Sequence, residues 1–277
     1  MVQIISGGGG AAVGVGGGAS AAARNWSGVS AIDAEDGLLT HLWPLNDAAG
    51  QFVGVDVEGS SNMDRVGGNG CRFGFQGPNP LRDSSDTPAR GRTCLTVRDS
   101  QLFYMRTPTG ILGTTDFAIG FWMRMHATTT SDIGTFRVPF ALCDSTTPVS
   151  TSLYLSPQTN GENGYEMALY MDSVERGTIF YMDDLDGQWH HWLIERDGST
   201  VDVYMDGQLR LNLTSMPTTD YSGLRIQLGS LNTSTTDSAG PVRGTSFVEV
   251  ATFSDALNDA AAYAEAIWNA KGYSFSA

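Results

Sequence analysis

Residues Trp189–Leu211, WHHWLIERDGSTVDVYMDGQLRL, decide the fold of this chain. They read as three β-strands joined by two tight turns. Trp189, His191, Leu193 and Glu195 fall on one face of the first strand. In the second, Val201, Val203 and Met205 alternate with Asp202, Tyr204 and Asp206. This period of two is that of a pleated strand. Asp197-Gly198 and Asp206-Gly207 stand where hairpin turns need positive φ, which glycine adopts without a Cβ clash.

Working outward, further strand-like runs lie at 93–98, 101–106, 117–126, 136–143, 152–156, 165–171, 178–182, 224–228 and 246–253. Phe117, Ile119, Phe121, Met123 and Met125 share one parity, as on the core face of a sheet whose two sides differ in polarity. Regular strands with no helices between them predict an all-β, antiparallel sandwich. The end differs. A helix is expected from an Asn258 or Ser254 cap to about Asn269, with Leu257, Ala261, Ala264 and Trp268 on its packed face. Residues 56–92, rich in Gly, Asn, Asp, Ser and Pro, read as long loops around one or two strands, with Phe73 and Phe75 alternating.

Four local motifs, in this order, resemble the laminin-G-like domains of the concanavalin A-like lectin/glucanase superfamily. They are His41-Leu-Trp-Pro-Leu-Asn-Asp, Asp116-Phe-Ala-Ile-Gly-Phe-Trp, the Trp-His-His strand leading to Tyr-x-Asp-Gly, and the closing strand Phe247–Phe253 followed by Ala-Leu-Asn-Asp-Ala. The resemblance covers about residues 38–272 and implies a jelly-roll sandwich. That fold carries sugar binders, hydrolases and attachment modules, so it narrows architecture more than function.

The chain has 277 residues, 41% hydrophobic and 17% charged, with 34 glycines, a balance suited to short strands and many turns. The net charge of −14 argues against nucleic acid or anionic membrane as a direct partner, since both need clustered Lys and Arg. No run approaches the ~18 apolar residues of a membrane-crossing helix, and no secretory signal is evident. Three cysteines, Cys71, Cys94 and Cys143, read as free buried thiols, with a Cys71–Cys94 bridge as the alternative. The sequons at Asn25, Asn212 and Asn232 read as accidental.

Residues 1–30 are a different material. GGGGAAVGVGGGASAAA buries too little surface to fold alone. The segment is either a flexible leader or an arm that orders against a partner. In the second reading Val2, Ile4 and Ile5 supply apolar contacts, Val13 and Val15 alternate as a strand would, and Trp26 anchors an interface or staples a loop. Residues 31–277 form the jelly-roll domain.

Hydrolases of the resembled fold carry paired carboxylates on one strand face, about 5 Å apart in retaining enzymes. The nearest match, Glu195-Arg196-Asp197, lacks a third carboxylate and shares Asp197 with a turn. His190 and His191 point to opposite faces and cannot chelate one metal from the same side. The resemblance implies Ca²⁺ in rim loops. Asp183, Asp184 and Asp186 are the candidate ligands, with Asp144-Ser145-Thr146 as another oxygen-rich loop; acidic residues before the Gly187 turn are equally a turn signal.

A docking arm, an acidic body and no catalytic set together resemble the fibre, spike and decoration proteins of bacteriophage virions. The expectation is a non-enzymatic virion protein, assembled in the host cytoplasm. Its arm joins capsid or tail proteins, as a homo-oligomer, and its lectin-like domain faces outward to cell-surface glycans. The alternatives are a free carbohydrate-binding lectin and, third, a glycoside hydrolase.

Overall fold

The computed structural model describes residues 30–45, 53–66, 71–73, 94–97, 104–113, 115–125, 138–143, 151–159, 165–181, 189–229 and 245–270. In chain order the elements begin with α1 (Ser30–Asp33), β1 (Leu39–Trp43), β2 (Val53–Gly54), β3 (Met63–Val66), β4 (Cys71–Arg72) and β5 (Leu95–Val97). Then come β6 (Tyr104–Arg106), β7 (Phe117–Arg124), β8 (Phe140–Cys143), β9 (Ser152–Thr159), β10 (Tyr165–Met171) and β11 (Val174–Tyr181). The chain continues through β12 (Trp189–Asp197), β13 (Thr200–Met205), β14 (Gln208–Leu213), β15 (Arg225–Leu228), β16 (Thr245–Phe253) and α2 (Ala260–Ala270).

Two antiparallel sheets face each other. The first runs β14-β13-β12-β7-β16-β5-β4, with β1 also paired to β16; the second runs β11-β10-β9-β8-β15-β6-β3-β2. This is the expected all-β jelly-roll sandwich. Phe117, Ile119, Phe121 and Met123 of β7 meet Phe140, Leu155, Leu169 and Ile226 of the second sheet in one apolar core. Phe121 stacks on Phe140 with ring centroids 4.4 Å apart. A strand places alternate side chains on opposite faces, so this parity commits the other residues of each strand to the outside.

The opening stretch folds as read. Trp192, Ile194, Val201, Val203 and Met205 enter the core between the sheets, while Trp189, Leu193 and Tyr204 take the opposite face. Asp206 and Gly207, at φ 55° and 79°, make the turn that joins Met205 to its partner Gln208. Both values belong to a type I′ turn, whose twist matches that of the flanking strands.

The expectation that β7 has sides of different polarity is corrected. Every residue of β7 is buried. Helix α2 lies on the outer face of the first sheet, where Tyr263, Ala264 and Ile267 pack with Ala118, Trp122, Leu193 and Val248. The helix register is corrected too. Asp259, not Asn258 or Ser254, caps it, its carboxylate accepting from Ala262 N at 2.9 Å. The packed face is Ala260, Tyr263, Ala264 and Ile267, leaving Ala261 exposed. Trp268 is half-buried and stacks on Trp122 at 5.7 Å. Ile32 of α1, fully buried, joins the same cluster.

Two carboxylates lock strands in the same way. Asp206 receives His190 Nδ1 at 2.6 Å and His191 N at 3.0 Å. Asp56 receives His41 Nδ1 at 2.7 Å and Leu42 N at 3.1 Å, and also the backbone N–H groups of Glu58, Gly59 and Ser61. All three cysteines are free and buried, which settles the bridge alternative against a disulfide. Burial pushes the Cys71 thiol up to about 12, so it stays protonated and inert.

Candidate functional site

The outer face of the second sheet has no helix packed on it among the described elements. Its composition follows from strand alternation. In β9, Leu153 and Leu155 point into the core, so Ser152, Tyr154, Ser156 and Gln158 point out. In β10, Met167, Leu169 and Met171 point in, so Glu166, Ala168 and Tyr170 point out. In β15, Ile226 and Leu228 point in, so Arg225 and Gln227 point out.

Register turns these positions into one row. Glu175 pairs with Tyr170, and Tyr170 with Tyr154. Tyr154 pairs with Ala141, and Ala141 with Gln227. Gln227 pairs with Arg106, and Arg106 with Asp64. At the ~4.8 Å spacing of neighbouring strands, the row is roughly 29 Å long, and its middle is closed to solvent, with Tyr154 4% and Ala141 and Gln227 0% exposed.

The aromatic end is pre-organised. Tyr154 and Tyr170 stack with centroids 4.9 Å apart and planes 4° from parallel. The Tyr170 hydroxyl has Gln158 Oε1 at 2.8 Å and Glu175 Oε2 at 3.0 Å, and its one proton is donated to either. Gln158 Nε2 donates to Glu166 Oε1 at 2.9 Å. Burial and then the Glu175 carboxylate push the Tyr170 phenol up to about 12, so it remains a donor. Tyr170 is half-buried and Glu175 exposed, which leaves oxygen acceptors beside an aromatic ring at the surface.

The other end is cationic and incompletely satisfied. Gln227 is 0% exposed, yet neither its amide nitrogen nor its amide oxygen has a partner. Ser152 Oγ on the same face and the Arg225 Nε are also unpartnered. Tyr104 stands above Arg106 on β6; burial pushes its phenol up, while Arg106 and Arg225 pull it back down. An aromatic pair, carboxylates, amides and guanidinium groups on one face offer both donors and acceptors, as sugar hydroxyls require.

This face was not singled out in the sequence, although the clean alternation of Ser152–Gln158 and Glu166–Tyr170 carried its signal. The candidate metal ligands Asp183, Asp184 and Asp186 lie outside the described residues, as do Asp144–Thr146. Among the described residues no group of three or more His, Cys, Asp and Glu is placed to hold a metal ion. The arm positions Val2, Ile4, Ile5, Val13, Val15 and Trp26 also lie outside them.

The hydrolase-like motif is occupied by structural work. Glu195 Oε1 accepts from Leu257 N at 2.8 Å, just ahead of α2. Burial pushes this carboxyl up to about 7. Arg196 is fully buried and donates to the carbonyls of Gly198, Thr219 and Pro217 at 3.1, 2.6 and 2.8 Å, lying over the Tyr221 ring. Asp197 ends β12 and is exposed. His191 tilts against Trp122 at 5.2 Å, and burial holds it down to about 3, a neutral packing residue.

The superfamily's laminin-G-type family model, described as that of the concanavalin A-like lectin/glucanases superfamily, matches residues 100–261. This chain belongs to that superfamily. Among curated proteins, none matches the sequence. Solved structures of similar shape include domain 4 of AbnA, an extracellular arabinanase from Geobacillus stearothermophilus, in complex with arabinotriose. It is 16% identical with a TM-score of 0.53, over 82% of this chain and 97% of that one. The binding domain of Paraclostridial Mosquitocidal Protein 1 is 12% identical with a TM-score of 0.54, over 84% of this chain and 52% of that one. The binding domain of botulinum neurotoxin serotype C1 is 10% identical with a TM-score of 0.54, over 86% and 53%. This chain thus spans about half the length of the two toxin chains. At these identities the likeness to these structures is one of fold alone.

Proposed function

We propose that this protein is a non-enzymatic, lectin-like attachment module that binds glycans on the outer face of its second sheet. The observation that carries the reading is the stacked Tyr154–Tyr170 pair, whose half-buried Tyr170 lies among the side-chain oxygens of Gln158 and the exposed Glu175. The commitment of Glu195 and Arg196 to structural hydrogen bonds supports a binding role over catalysis. The arabinanase domain of similar shape, solved in complex with arabinotriose, agrees with a saccharide ligand for the fold.

The finer reading places the module on a bacteriophage virion. There the Gly/Ala-rich segment 1–30 joins capsid or tail proteins, and the chain acts as a homo-oligomer. The support is compositional: a segment unable to bury surface alone precedes an acidic body of net charge −14 overall.

A glycan array probed with the full chain tests the binding reading. Tyr170→Ala is expected to cut retention of bound glycans at least about tenfold, the effect of losing one aromatic platform and its hydrogen bonds. A chain that binds no glycan, or a variant that binds as the parent does, sinks it. Density-gradient sedimentation of a source lysate tests the virion reading, since a free ~30 kDa species would contradict it and leave a free lectin.

A further inference from the structure

We propose that the Tyr170 end of this face selects a saccharide bearing a primary ammonium, a hexosamine whose nitrogen is not acylated, with the ammonium held by Glu166 and Glu175 against the Tyr170 ring. The inference rests on the glycan-binding reading and names its ligand class. The groups involved reach solvent: Glu175 is exposed, and Gln158, Glu166 and Tyr170 are half-buried. Tyr154, 4% exposed, backs the Tyr170 ring at a centroid distance of 4.9 Å and leaves Tyr170 to meet the ligand.

Hydrogen bonds join the four groups into one chain. Gln158 Nε2 donates to Glu166 Oε1 at 2.9 Å, and the Tyr170 hydroxyl lies 2.8 Å from Gln158 Oε1 and 3.0 Å from Glu175 Oε2. The chain uses up its own donors. Tyr170 has one proton, committed to Gln158 or Glu175, and one Gln158 N–H is committed to Glu166. What remains is a single amide N–H against the spare lone pairs of two carboxylates. A sugar hydroxyl both donates and accepts, whereas an ammonium offers three donors and no acceptor. A cluster in which acceptors outnumber donors matches the ammonium.

Charge points the same way. Neither carboxylate is in an ion pair among the described residues. Arg176 follows Glu175 in sequence but is the extra residue of a bulge, since Tyr170 pairs with Glu175 and Leu169 with Gly177. Its charge bears on Tyr221 of the core. Arg225 and Arg106 stand three and four strands from Tyr170, roughly 14 Å or more, which is beyond a Debye length at physiological salt. A tyrosine face attracts a cation within about 6 Å of its centroid. The net charge of −14 over the whole chain favours the approach of a cation. Acylation of the sugar nitrogen removes the charge and two of the three donors, so the free amine and its N-acyl form are the pair that this cluster tells apart.

The test is an array carrying glucosamine oligosaccharides, their N-acetylated counterparts of equal length and neutral hexose oligosaccharides, probed with the full chain. The free-amine oligosaccharides are expected to be retained about tenfold or more above the N-acetylated ones, and to lose that advantage when the same spots are chemically acetylated. Glu166→Gln and Glu175→Gln keep the side-chain shape and remove the charge. Each is expected to weaken free-amine retention about fivefold or more with Tm unchanged. Glu265→Gln removes an equal charge from the exposed face of α2, across the sandwich, and is expected to leave retention as it was. Weakening by Glu265→Gln equal to that by Glu175→Gln would mean attraction by overall charge and overturns the proposal. Equal retention of free-amine and N-acetylated oligosaccharides overturns it as well. Retention of neutral glycans that needs Tyr170 but neither glutamate overturns it while sparing the glycan-binding reading. Absence of all glycan retention overturns both.

Discussion

Glu195 and Asp56 are buried carboxylates with opposite fates. Glu195 has one hydrogen bond, from Leu257 N, and burial raises it from 4.5 to about 7. A raised folded-state pKa means the native state holds its proton longer than the unfolded chain. Its contribution is therefore fully present below about 4.5 and is lost as pH rises to about 7. Glu195→Gln keeps an acceptor for Leu257 and removes the charge. The variant is expected to be more stable than the parent at pH 8, by an amount on the order of 3 kcal/mol at most. It should also show a flatter stability profile between pH 4.5 and 7 by urea unfolding. An unchanged profile would show that Glu195 is not the group that titrates.

For Asp56, burial alone would raise the pKa, but the hydrogen bonds from His41, Gly59, Ser61 and Leu42 outweigh it and hold the carboxyl at about 2. Its contribution is present above the ordinary 3.8 and lost as pH falls through about 2. Asp56→Ala removes the shared acceptor of Leu42, Gly59 and Ser61 at the start of a half-exposed loop and is expected to cost about 2–4 kcal/mol near neutral pH. A loss under about 1 kcal/mol by chemical denaturation would mean the loop re-satisfies those donors.

At the scale of elements, the β12–β13–β14 meander and α2 depend on one close approach. Gly207 has φ +79°, and a Cβ there would come within 2.9 Å of the Glu265 backbone in α2. Gly198, with φ +57°, has open space around it. Gly207→Ala therefore incurs both backbone strain and a clash, and is expected to lower stability by more than about 2 kcal/mol. Gly198→Ala is expected to lose only about 1 kcal/mol. Equal Tm losses in the two variants would remove the helix contact from the account.

The elements that were legible in the sequence were those with strict period two over several residues. β7, β12 and β13 fall where alternation placed them, and β10, β14, β15 and β16 where strand-like runs were read. β2 and β4, with two residues each, carry no pattern and exist because a neighbouring strand offers a partner. β11 begins at Val174, ahead of the expected 178, because Asp172 and Ser173 form its turn at φ 52° and 64° without glycine. The candidate face was hidden for a related reason. Alternation says that Tyr154 and Leu155 point opposite ways, but not which side a helix covers. Register then gathers Asp64, Arg106, Ala141, Tyr154, Tyr170 and Gln227 from distant parts of the sequence, which no local motif reports.

At the scale of the molecule, the layers run α2, first sheet, core, second sheet, candidate face. Charge belongs to this scale as well: a net charge of −14 over the whole chain opposes the approach of polyanions. Deleting residues 1–29 is expected to leave a folded domain with its glycan binding intact but unable to sediment with a large assembly. Undiminished co-sedimentation of that variant would count against the arm.

The β1 strand pairs with β16, and α1 rests against α2. The two ends of the described chain therefore emerge on one side, beyond the first sheet. Held on a bead or a sensor surface at Ser30 or Ala270, the described domain turns Tyr170 away from the support, so that its orientation is set by topology.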